Sequence, residues 1–578
     1  MAKSKKSDEK PQMGAFWHAT SHIMADAVKR LRPGVKLAIG PSIDSGFYYD
    51  FDTSPFNSED LEKIEKEMNQ IIRQNLEFKH VYLKRNEAEK LLKDQPYKLE
   101  LLSEIKGEKI SFYQHNEFMD LCSGPLIKNS SEIKAIKLLN TAGAYWRGDS
   151  SKPMLQRIYG ISFRSEKELD EFLRLKEESE KRDHRKLGKE LGIFMISEYS
   201  LAGCPILLPK GTVIYNELMS FLRQEYKKRG YQEVLTPQVF KKEMWETSGH
   251  WQHYKDYMFT FKINDRDYSL KPMNCPSNIF VYKNEMRSYK DLPLRIADFG
   301  VLHRNELGGV LGGMTRVVKF SQDDAHIFVA PEQIEDEIIE IFDFVKYVYD
   351  KVFKFNYKVK LSTRPKDFMG DKKLWDQAEK DLSSALKKAK IDFEIQEGEG
   401  AFYGPKIDII VEDSLKRDWQ LATIQLDFQL PLKFDVNYEG KDNQKHKVVM
   451  IHRAILGSLE RFMGLLIEHY AGAFPTWLAP VQVKLLNLTD DNLKYAKKIE
   501  EKLKEAGLRV ETDYASTTVQ SKIRDAAKIE RVPYILVVGG KEEVAGTVAV
   551  RTRDGKVKYG VKTEDFIKEI CTEISDKK

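Results

Sequence analysis

The sequence has no apolar run long enough to span a bilayer, and its first residues, MAKSKKSDEKPQMG, lack the apolar core of a signal peptide. It has only four cysteines, at positions 122, 204, 275 and 571. They are too few for a disulfide scaffold and too widely spaced for a zinc ribbon, so each is expected to be a free thiol or an isolated ligand. These absences predict a cytoplasmic protein with no membrane partner.

A strong excess of charge of one sign is also absent. The formal net charge is +5 over 578 residues, a balance that permits an RNA partner without requiring one. Internal repeats and low-complexity blocks are lacking as well. What is present is an ordinary mixture of 41% hydrophobic and 32% charged residues, in a chain too long for one hydrophobic core. Three or four domains are therefore expected.

Ionisable side chains are most concentrated in the stretch 292–328. It reads as a strand, a glycine-rich loop and a returning strand, over residues 294–302, 308–313 and 316–320. Arg304 and Arg316 flank this loop, and arginines pair bidentately with phosphate. No P-loop or GxGxxG spacing accompanies them, so the pattern alone leaves a nucleotide site and a solvated hairpin equally open.

Other segments also show clear periodicity. Residues 16–31 read as a helix with His18 and His22 on one face, which suits a metal or polar pocket, although packing histidines give this pattern more often. A helical run after Gly211 leads into a strand that ends at Pro237. Short strands and helices alternate through the last hundred residues, which predicts a small α/β domain with a central sheet.

Together these motifs resemble those of a known enzyme group. The sequence Arg304-Asn305-Glu306, the glycine loop, Arg316 and the run SQDDAHIF resemble motif 2 of class II aminoacyl-tRNA synthetases, and specifically of the threonyl-tRNA synthetase family. The helix and strand that end at Pro237 resemble motif 1, which forms the dimer interface in that group, and GSLERFMGLLIEHY resembles motif 3. The resemblance starts near residue 16, so it implies the form that lacks the small N-terminal ubiquitin-like domain.

The resemblance implies an α+β multidomain protein. An α/β editing-like domain is expected first, then a linker helix, a class II catalytic domain built on an antiparallel sheet, and an α/β anticodon-binding domain. Their implied bounds are 1–165, 166–190, 191–479 and 480–578. The implied partners are ATP, L-threonine, tRNA(Thr) and a second copy of the chain in a homodimer.

Resemblance also implies how ATP is bound. Arg304 is expected to clamp the α-phosphate, and Glu306 to accept a hydrogen bond from the adenine amino group. Arg316 is expected near the outer phosphates, which Mg²⁺ neutralises, while Phe320 and Arg461 sandwich the adenine ring. The implied ATP-binding set, of which the four charged members are also the catalytic residues, is Arg304, Glu306, Arg316, Phe320, Gln420 and Arg461.

For threonine, the resemblance implies a zinc site. Cys275, His326 and His452 are expected to hold one Zn²⁺ per subunit, which leaves the fourth tetrahedral position open for substrate. An apolar pocket discriminates an added hydroxyl by only about a hundredfold, whereas a site that binds the hydroxyl rejects valine far more strongly. Asp324 is expected to meet the threonine ammonium. The remaining residues implied for this pocket are Met273, Gln322, Tyr403, Lys406 and Gln425.

Serine lacks only one methyl group of threonine, so a second, hydrolytic site is needed to remove misacylated serine. The implied editing residues are His18, His22, Lys98, Asp120 and Cys122. The family motif continues Cys, any residue, Gly, Pro, His, but this chain has Leu126 at the last position. An imidazole that acts as general acid or base commonly contributes about two to four orders of magnitude in rate, so editing is expected to be weakened or lost.

The C-terminal residues implied for anticodon binding are Glu542 and Arg551. Here too the chain departs from the family, because Ser-Thr-Thr-Val-Gln at 516–520 replaces the usual Asn-Glu-Lys-Ile-Gly. Some anticodon contacts are therefore expected to differ.

Two other classes of function stay open at this point. One is a synthetase-shaped regulatory or RNA-binding protein without activity, which loss of Arg304, Glu306 or Arg461 would favour. The other is an ATP-dependent enzyme that activates another carboxylate, which a zinc-ligand set suited to a hydroxyl group opposes.

Overall fold

The structure is a computed structural model that describes residues 6–43, 45–515 and 517–578. The chain divides into two compact units, Met1–Glu177 and Glu178–Lys578. The helix predicted over residues 16–31 starts earlier, at Lys6, and residues 1–5 lie outside the described part. Within the described residues, every helix is too short or too polar to cross a membrane.

The N-terminal unit contains two sheets, both of antiparallel strands, and helices that cover them. Aromatic side chains of the long helix and of the central strand, such as Phe16, Phe47 and Phe51, form its core. The strands are Lys36–Leu37, Ser42–Ile43, Gly46–Asp52, Ala135–Tyr145 and Met154–Phe163 in one sheet, and Lys79–Lys84, Lys109–His115 and Phe118–Leu121 in the other. The helices are Lys6–Leu31, Ser58–Arg73, Arg85–Leu91 and Pro96–Glu104.

The predicted linker helix is two helices, Glu166–Arg182 and His184–Glu190. Asp183 separates them because its side chain accepts a hydrogen bond from the backbone N–H of Arg185 at 2.8 Å and so caps the second helix.

The predicted catalytic domain is built on one large, mostly antiparallel sheet, as the resemblance implies. Its long middle strands Lys319–Val329 and Val449–Ser458 are buried along almost their whole length, and they carry polar as well as apolar side chains. The described strands follow the order Gln232–Glu233, Leu294–Asp298, Lys319–Val329, Val449–Ser458, Asp418–Asp427, Lys406–Glu412, Asn356–Ser362 and Phe393–Gln396, and Val301–His303 also pairs with Lys319–Val329.

Helices and small sheets surround this sheet. The helix Ile334–Lys346 continues into a π-helical stretch, Tyr347–Phe353, and packs its apolar face on the sheet. The other helices are Pro209–Lys228, Lys242–Ser248, His250–His253, Cys275–Lys283, Lys372–Lys388, Gln429–Lys433 and Leu459–His469. The smaller sheets contain Phe194–Met195 with Ile206–Leu207, Val239–Lys241 with Thr260–Ile263 and Arg266–Leu270, and Asn437–Glu439 with Lys445–Lys447.

The predicted hairpin differs from the structure at two points. Its first strand is interrupted at Gly300, where a Cβ atom would lie only 2.2 Å from Asn274 Oδ1, so the close approach requires glycine. Its second strand starts at Lys319 and not at Arg316, because Arg316 closes a turn with Gly312 and the N–H of Val318 donates to Gly203.

The C-terminal part has the predicted central sheet. Its strands follow the order Val510–Asp513, Val483–Asn487, Tyr534–Val538, Thr547–Thr552 and Val557–Lys562, with the first three parallel. Its helices are Leu493–Glu505, Val519–Arg524, Gly540–Ala545 and Thr563–Ser575. Thr518 caps one of them, whereas Ser516 of the altered 516–520 segment lies outside the described residues, as does Asp44.

One buried carboxylate shapes the middle of the large sheet. Strand Val449–Ser458 has a bulge where it pairs with Lys319–Val329. Asp324 faces Ala454 and Gln322 faces Ser458, so a step of two residues on one strand corresponds to four on the other. The bulge removes three consecutive N–H groups from the ladder, and Asp323 accepts hydrogen bonds from all of them, at 2.8, 3.0 and 2.8 Å. Burial raises the pKa of Asp323 to about 7, against the opposing effect of the Arg453 guanidinium and these N–H groups.

Replacing Asp323 with alanine is expected to lower the free energy of unfolding by about 3 to 5 kcal/mol, because three N–H groups lose their acceptor and the buried Arg453 guanidinium loses its counter-charge. Asp418→Ala is the control, since Asp418 is an exposed residue of the same sheet that pairs with Lys358, and it should cost less than about 1 kcal/mol. Chemical denaturation followed by tryptophan fluorescence measures both. Equal losses in the two variants would contradict this account of the bulge.

Candidate active site

Strand register brings distant residues of the catalytic unit into one row. His326 lies directly opposite His452, His452 opposite Gln425, and Gln425 opposite Lys406, across four neighbouring strands. Residues that face each other in antiparallel strands project from the same face of the sheet. The sheet therefore collects residues that are up to 126 positions apart (452 − 326) on one surface.

The first cluster on this surface is Cys275, His326 and His452. All three are buried, and their donor atoms lie within 4.8 Å of one another. His452 Nε2 lies 2.9 Å from Asp427 Oδ2, which fixes that nitrogen as a donor and makes Nδ1 the atom that a metal could take in place of a proton. His326 Nε2 is buried and has no hydrogen-bond partner among the described residues, while Nδ1 contacts the Asn278 amide at 2.6 Å.

Electrostatics at this cluster reflect burial. Burial lowers the pKa of His326 well below its ordinary value and raises that of the Cys275 thiol. At His452, burial acts in the same direction as at His326, but Cys275 and Asp427 outweigh it and raise the pKa to about 10. One thiol and two imidazoles, one of them with an unpartnered buried nitrogen, form a donor set that suits zinc.

A cavity of about 360 Å³ opens in front of this cluster. Tyr403 donates a hydrogen bond to Gln425 Oε1 at 2.6 Å, and Asn274 donates one to Asp324 Oδ2 at 3.0 Å, so both polar walls are held in place. Burial raises the pKa of Asp324. The sequence-predicted residues that line this cavity are Met273, Cys275, Gln322, Asp324, Tyr403, Gln425 and His452.

Lys406 is placed differently from the rest of the predicted threonine set. Its ammonium lies 2.5 Å from Asp408 Oδ2, and Asp408 also accepts a hydrogen bond from Gln420 at 2.6 Å. Lys406 is therefore held by a carboxylate of its own strand and does not belong to the wall of either cavity.

A second cavity, of about 510 Å³, adjoins the first and shares Arg304, Gln322 and Thr423 with it. The Arg304 guanidinium lies 5.0 Å from the centre of the Phe320 ring, and its Nε donates to the Pro272 carbonyl at 3.2 Å. All six residues of the predicted ATP set line this cavity.

Two further contacts orient that set. Arg316 pairs with Glu306 at 2.9 Å, across the two sides of the glycine loop. The Arg461 guanidinium lies over the Trp419 ring at 5.5 Å, and its Nε is buried without a described partner.

Sequence reasoning missed several residues of this site. They are Tyr254, Asn278, Phe402, Trp419, Thr423 and Asp427. Asp427 had a detectable signal, because it is an acidic residue at the end of a strand, next to the start of helix Gln429–Lys433. Asn278 had none, since its role depends only on its contact with His326.

In the N-terminal unit, the five predicted editing residues line a cavity of about 620 Å³. Lys98 and Asp120 form a buried ion pair at 2.7 Å, and Tyr49 donates to the same carboxylate at 2.6 Å. The Cys122 Sγ and His18 Nε2 atoms are 3.5 Å apart.

Burial dominates the ionisation of these groups. It raises the pKa of Cys122 to about 11 and lowers that of His22 to about 3, so the thiol and the imidazole are both neutral near pH 7. Leu126 directs its side chain to the hydrophobic core of the unit, where it packs half-buried. It is not among the residues described as lining the cavity.

The two predicted anticodon residues lie in neighbouring elements of the C-terminal sheet and helices. Glu542 caps its own helix by accepting from the N–H of Gly539 at 3.1 Å. Arg551 is half-buried on strand Thr547–Thr552, and its Nε has no partner among the described residues.

Models of three protein families match the chain. The tRNA synthetase class II core domain (G, H, P, S and T) matches residues 257–470, and an anticodon binding domain matches 479–573. The threonyl and alanyl tRNA synthetase second additional domain matches 110–159. These matches confirm the predicted class II core and the multidomain α and β fold.

Whole-length relatives carry the same family name. A threonine–tRNA ligase of Caldanaerobacter subterraneus subsp. tengcongensis is 52% identical over 566 residues, which cover 97% of this chain and 87% of the relative. That of Acetivibrio thermocellus is 50% identical over 574 residues, covering 99% and 90%. A solved RNA binding domain of threonyl-tRNA synthetase from Cryptosporidium parvum Iowa II is 42% identical with a TM-score of 0.65, over 68% of this chain and 98% of that one. With half of its residues identical along almost its whole length, the chain belongs to the threonine–tRNA ligase family of class II synthetases.

Proposed function

We propose that this chain activates threonine with ATP to give threonyl-adenylate, and then transfers the threonyl group to the 3′ end of tRNA(Thr). The observation that carries this proposal is the meeting of the two cavities at Arg304. A carboxylate in the smaller cavity and an α-phosphate in the larger one would both lie beside this guanidinium. As the carboxylate oxygen attacks phosphorus and pyrophosphate leaves, Arg304 stabilises the developing negative charge.

The larger cavity supports an assignment to ATP. Phe320 and Arg461 offer an aromatic face and a guanidinium for the adenine ring, and Glu306 is a carboxylate acceptor for its amino group. Arg316 is more than half exposed and lies at the rim, where the outer phosphates and their Mg²⁺ would be.

In the smaller cavity, Cys275, His326 and His452 would hold a zinc ion. The unpartnered nitrogen of His326 and the carboxylate behind His452 support this assignment. When bound, the ion supplies an open coordination position that can take the amino and hydroxyl groups of threonine. Asp324 and Gln322, which lie on the same strand as His326, orient the substrate, with Asp324 facing its ammonium group.

The N-terminal unit, on this proposal, keeps its fold while its editing of seryl-tRNA is impaired. Its support is the combination of an intact framework, held by Lys98, Asp120 and Tyr49, with a leucine where the family motif has histidine. A neutral Cys122 thiol is a poor nucleophile or base, so the cavity has little left to activate water.

The proposal includes a homodimer and an anticodon contact. Large apolar side chains are exposed between strands Phe194–Met195 and Ile206–Leu207, and Tyr199 is 93% accessible there. Such a patch, next to the segment that resembles motif 1, suits a second copy of the chain. Glu542 and Arg551 are assigned to the tRNA anticodon, within the domain that starts at residue 480.

Arg304→Ala is expected to lower threonine-dependent ATP–pyrophosphate exchange by about two to three orders of magnitude, because one transition-state donor is lost. Exchange assays over a panel of amino acids measure this and also test whether threonine is preferred. Arg524→Ala is the control, since Arg524 is an exposed residue of the C-terminal domain, and it should exchange normally. Unaltered exchange in Arg304→Ala, or a preference for another amino acid, would contradict the proposal.

Cys275→Ser is expected to lower the bound zinc from about one ion per chain towards zero, because one of three protein ligands is weakened. Inductively coupled plasma mass spectrometry of the dialysed protein measures the ion. Cys204→Ser is the matched control, as Cys204 is a half-buried free thiol that lies outside the cluster. Full activity in wild-type protein that carries no metal would overturn the zinc assignment.

Leu126→His is expected to raise the rate of seryl-tRNA deacylation by at least about tenfold over the wild type, because a polar imidazole four residues after Cys122 is disfavoured in the apolar core and can turn towards the cavity as a proton acceptor. Leu126→Ala, which changes the packing without adding a proton acceptor, should give no gain. Rapid deacylation by the wild type, abolished by His18→Ala, would show that editing is intact.

A further inference from the structure

We propose that His184 is a positioning residue for ATP binding: it fixes the base of the glycine loop so that Arg316 faces the ATP cavity. Its contacts link three separate parts of the catalytic unit, namely helix His184–Glu190, the loop around Met314 and the C-terminal end of helix Leu459–His469. This inference rests on the proposed assignment of the larger cavity to ATP.

Both ring nitrogens of His184 are engaged. Nδ1 lies 2.6 Å from Glu468 Oε1, and Nε2 accepts a hydrogen bond from the backbone N–H of Met314 at 3.1 Å. One neutral tautomer satisfies both contacts, with Nδ1–H as donor and Nε2 as acceptor. The side chain is 6% accessible, so water does not replace either partner easily.

Glu468, the acceptor for His184, is itself held firmly. The same Oε1 atom accepts from the backbone N–H of His184 at 3.1 Å, and the second oxygen accepts from Arg417. Arg417 in turn donates to Asp413 at 2.8 Å. We call the contacts of His184 with Glu468 and Met314 the clamp. Because Glu468 lies on the helix that also carries Arg461, the clamp connects the glycine loop to another wall of the ATP cavity.

The loop is shaped to approach His184 closely. Gly313 has a φ of +58°, and a Cβ atom at this position would lie 2.3 Å from His184 Nε2. Gly464 makes room for Thr315 in the same way, since a Cβ there would come within 3.1 Å of its Cγ2. Two glycines therefore permit a contact that any side chain would obstruct.

The base and the tip of the loop differ in their support. The base is closed by the Thr315 N–H to the Gly312 carbonyl at 2.9 Å and by the Gly312 N–H to the Arg316 carbonyl at 3.1 Å. At the tip, a Cβ on Gly308 or Gly309 would meet no described atom within 4 Å. Within the described base, one backbone N–H, that of Met314, donates to a side chain from another element. That side chain is His184.

Arg316 follows the base directly. Its guanidinium pairs with Glu306 at 2.9 Å, and the side chain is 55% accessible. The position of the Arg316 backbone therefore depends mainly on the base of the loop. A loop released from His184 would have to be ordered again when ATP binds, which reduces affinity for ATP. The threonine cavity does not include this loop, so its affinity should not change.

The test compares His184→Phe with His469→Phe by threonine-dependent ATP–pyrophosphate exchange. Phenylalanine keeps the ring against Phe194 but removes both hydrogen bonds. His469 directly follows Glu468 on helix Leu459–His469 and has no described contact with the loop. His184→Phe should raise the KM for ATP by about tenfold or more, with the KM for threonine within about twofold of the wild type. Hydrogen exchange at the Met314 amide should quicken in the same variant.

Gly313→Ala tests the same clamp from the loop side without altering a buried histidine, and it should also raise the KM for ATP selectively. An unchanged KM for ATP in both His184→Phe and Gly313→Ala would overturn the inference. Equal rises in the two KM values would do the same, because they would indicate general destabilisation. Absence of exchange in the wild type would instead reject the proposed function, so the two failures are distinguishable.

Discussion

Asp323 supplies acceptors to three consecutive peptide N–H groups that the bulge in strand Val449–Ser458 takes out of the ladder. Before the bulge the register is regular and sets His452 opposite His326. After it, the strand is shifted by two residues and passes into the helix that carries Arg461. One buried carboxylate therefore determines both where the histidine pair meets and from where the arginine enters the ATP cavity. It is paired with buried Arg453 at 3.6 Å, an arrangement in which the cost of desolvation opposes the attraction of the two charges.

The same logic extends to the cluster of Cys275, His326 and His452. An imidazole presents a lone pair to a metal from the nitrogen opposite its N–H, and Asp427 accepts from Nε2–H of His452, which turns Nδ1 towards the cluster. The Asn278 amide contacts Nδ1 of His326 and holds that ring; its oxygen, as the acceptor of Nδ1–H, would leave the Nε2 lone pair for the cluster. Asp427 is fixed in turn, because its other oxygen accepts from two backbone N–H groups at the start of helix Gln429–Lys433. The donor set is thus positioned by the sheet and by a helix N-terminus together, before any ligand is considered.

Long periodic elements of this chain could be predicted from sequence, and local backbone contacts could not. The helix after Gly211 and the alternating C-terminal strands follow from apolar spacing alone. By contrast, the interruption at Gly300 follows from a close approach to Asn274, and the late start of strand Lys319–Val329 follows from a hydrogen bond to Gly203. Such contacts join residues far apart in sequence, so no local pattern records them.

Site residues show the same division. The resemblance identified the residues that line the cavities, because they lie in ordered motifs, but it grouped Lys406 with them, although Asp408 holds that ammonium away from the wall. Supporting residues such as Asn278 and His184 have no signature, since each acts through a partner and not on a substrate. Leu126 illustrates the difference between a residue that packs in the fold and one that lines a cavity. Its side chain packs against the hydrophobic core and not into the cavity, so a leucine at this position leaves untouched the ion pair of Lys98 and Asp120 that shapes the N-terminal cavity.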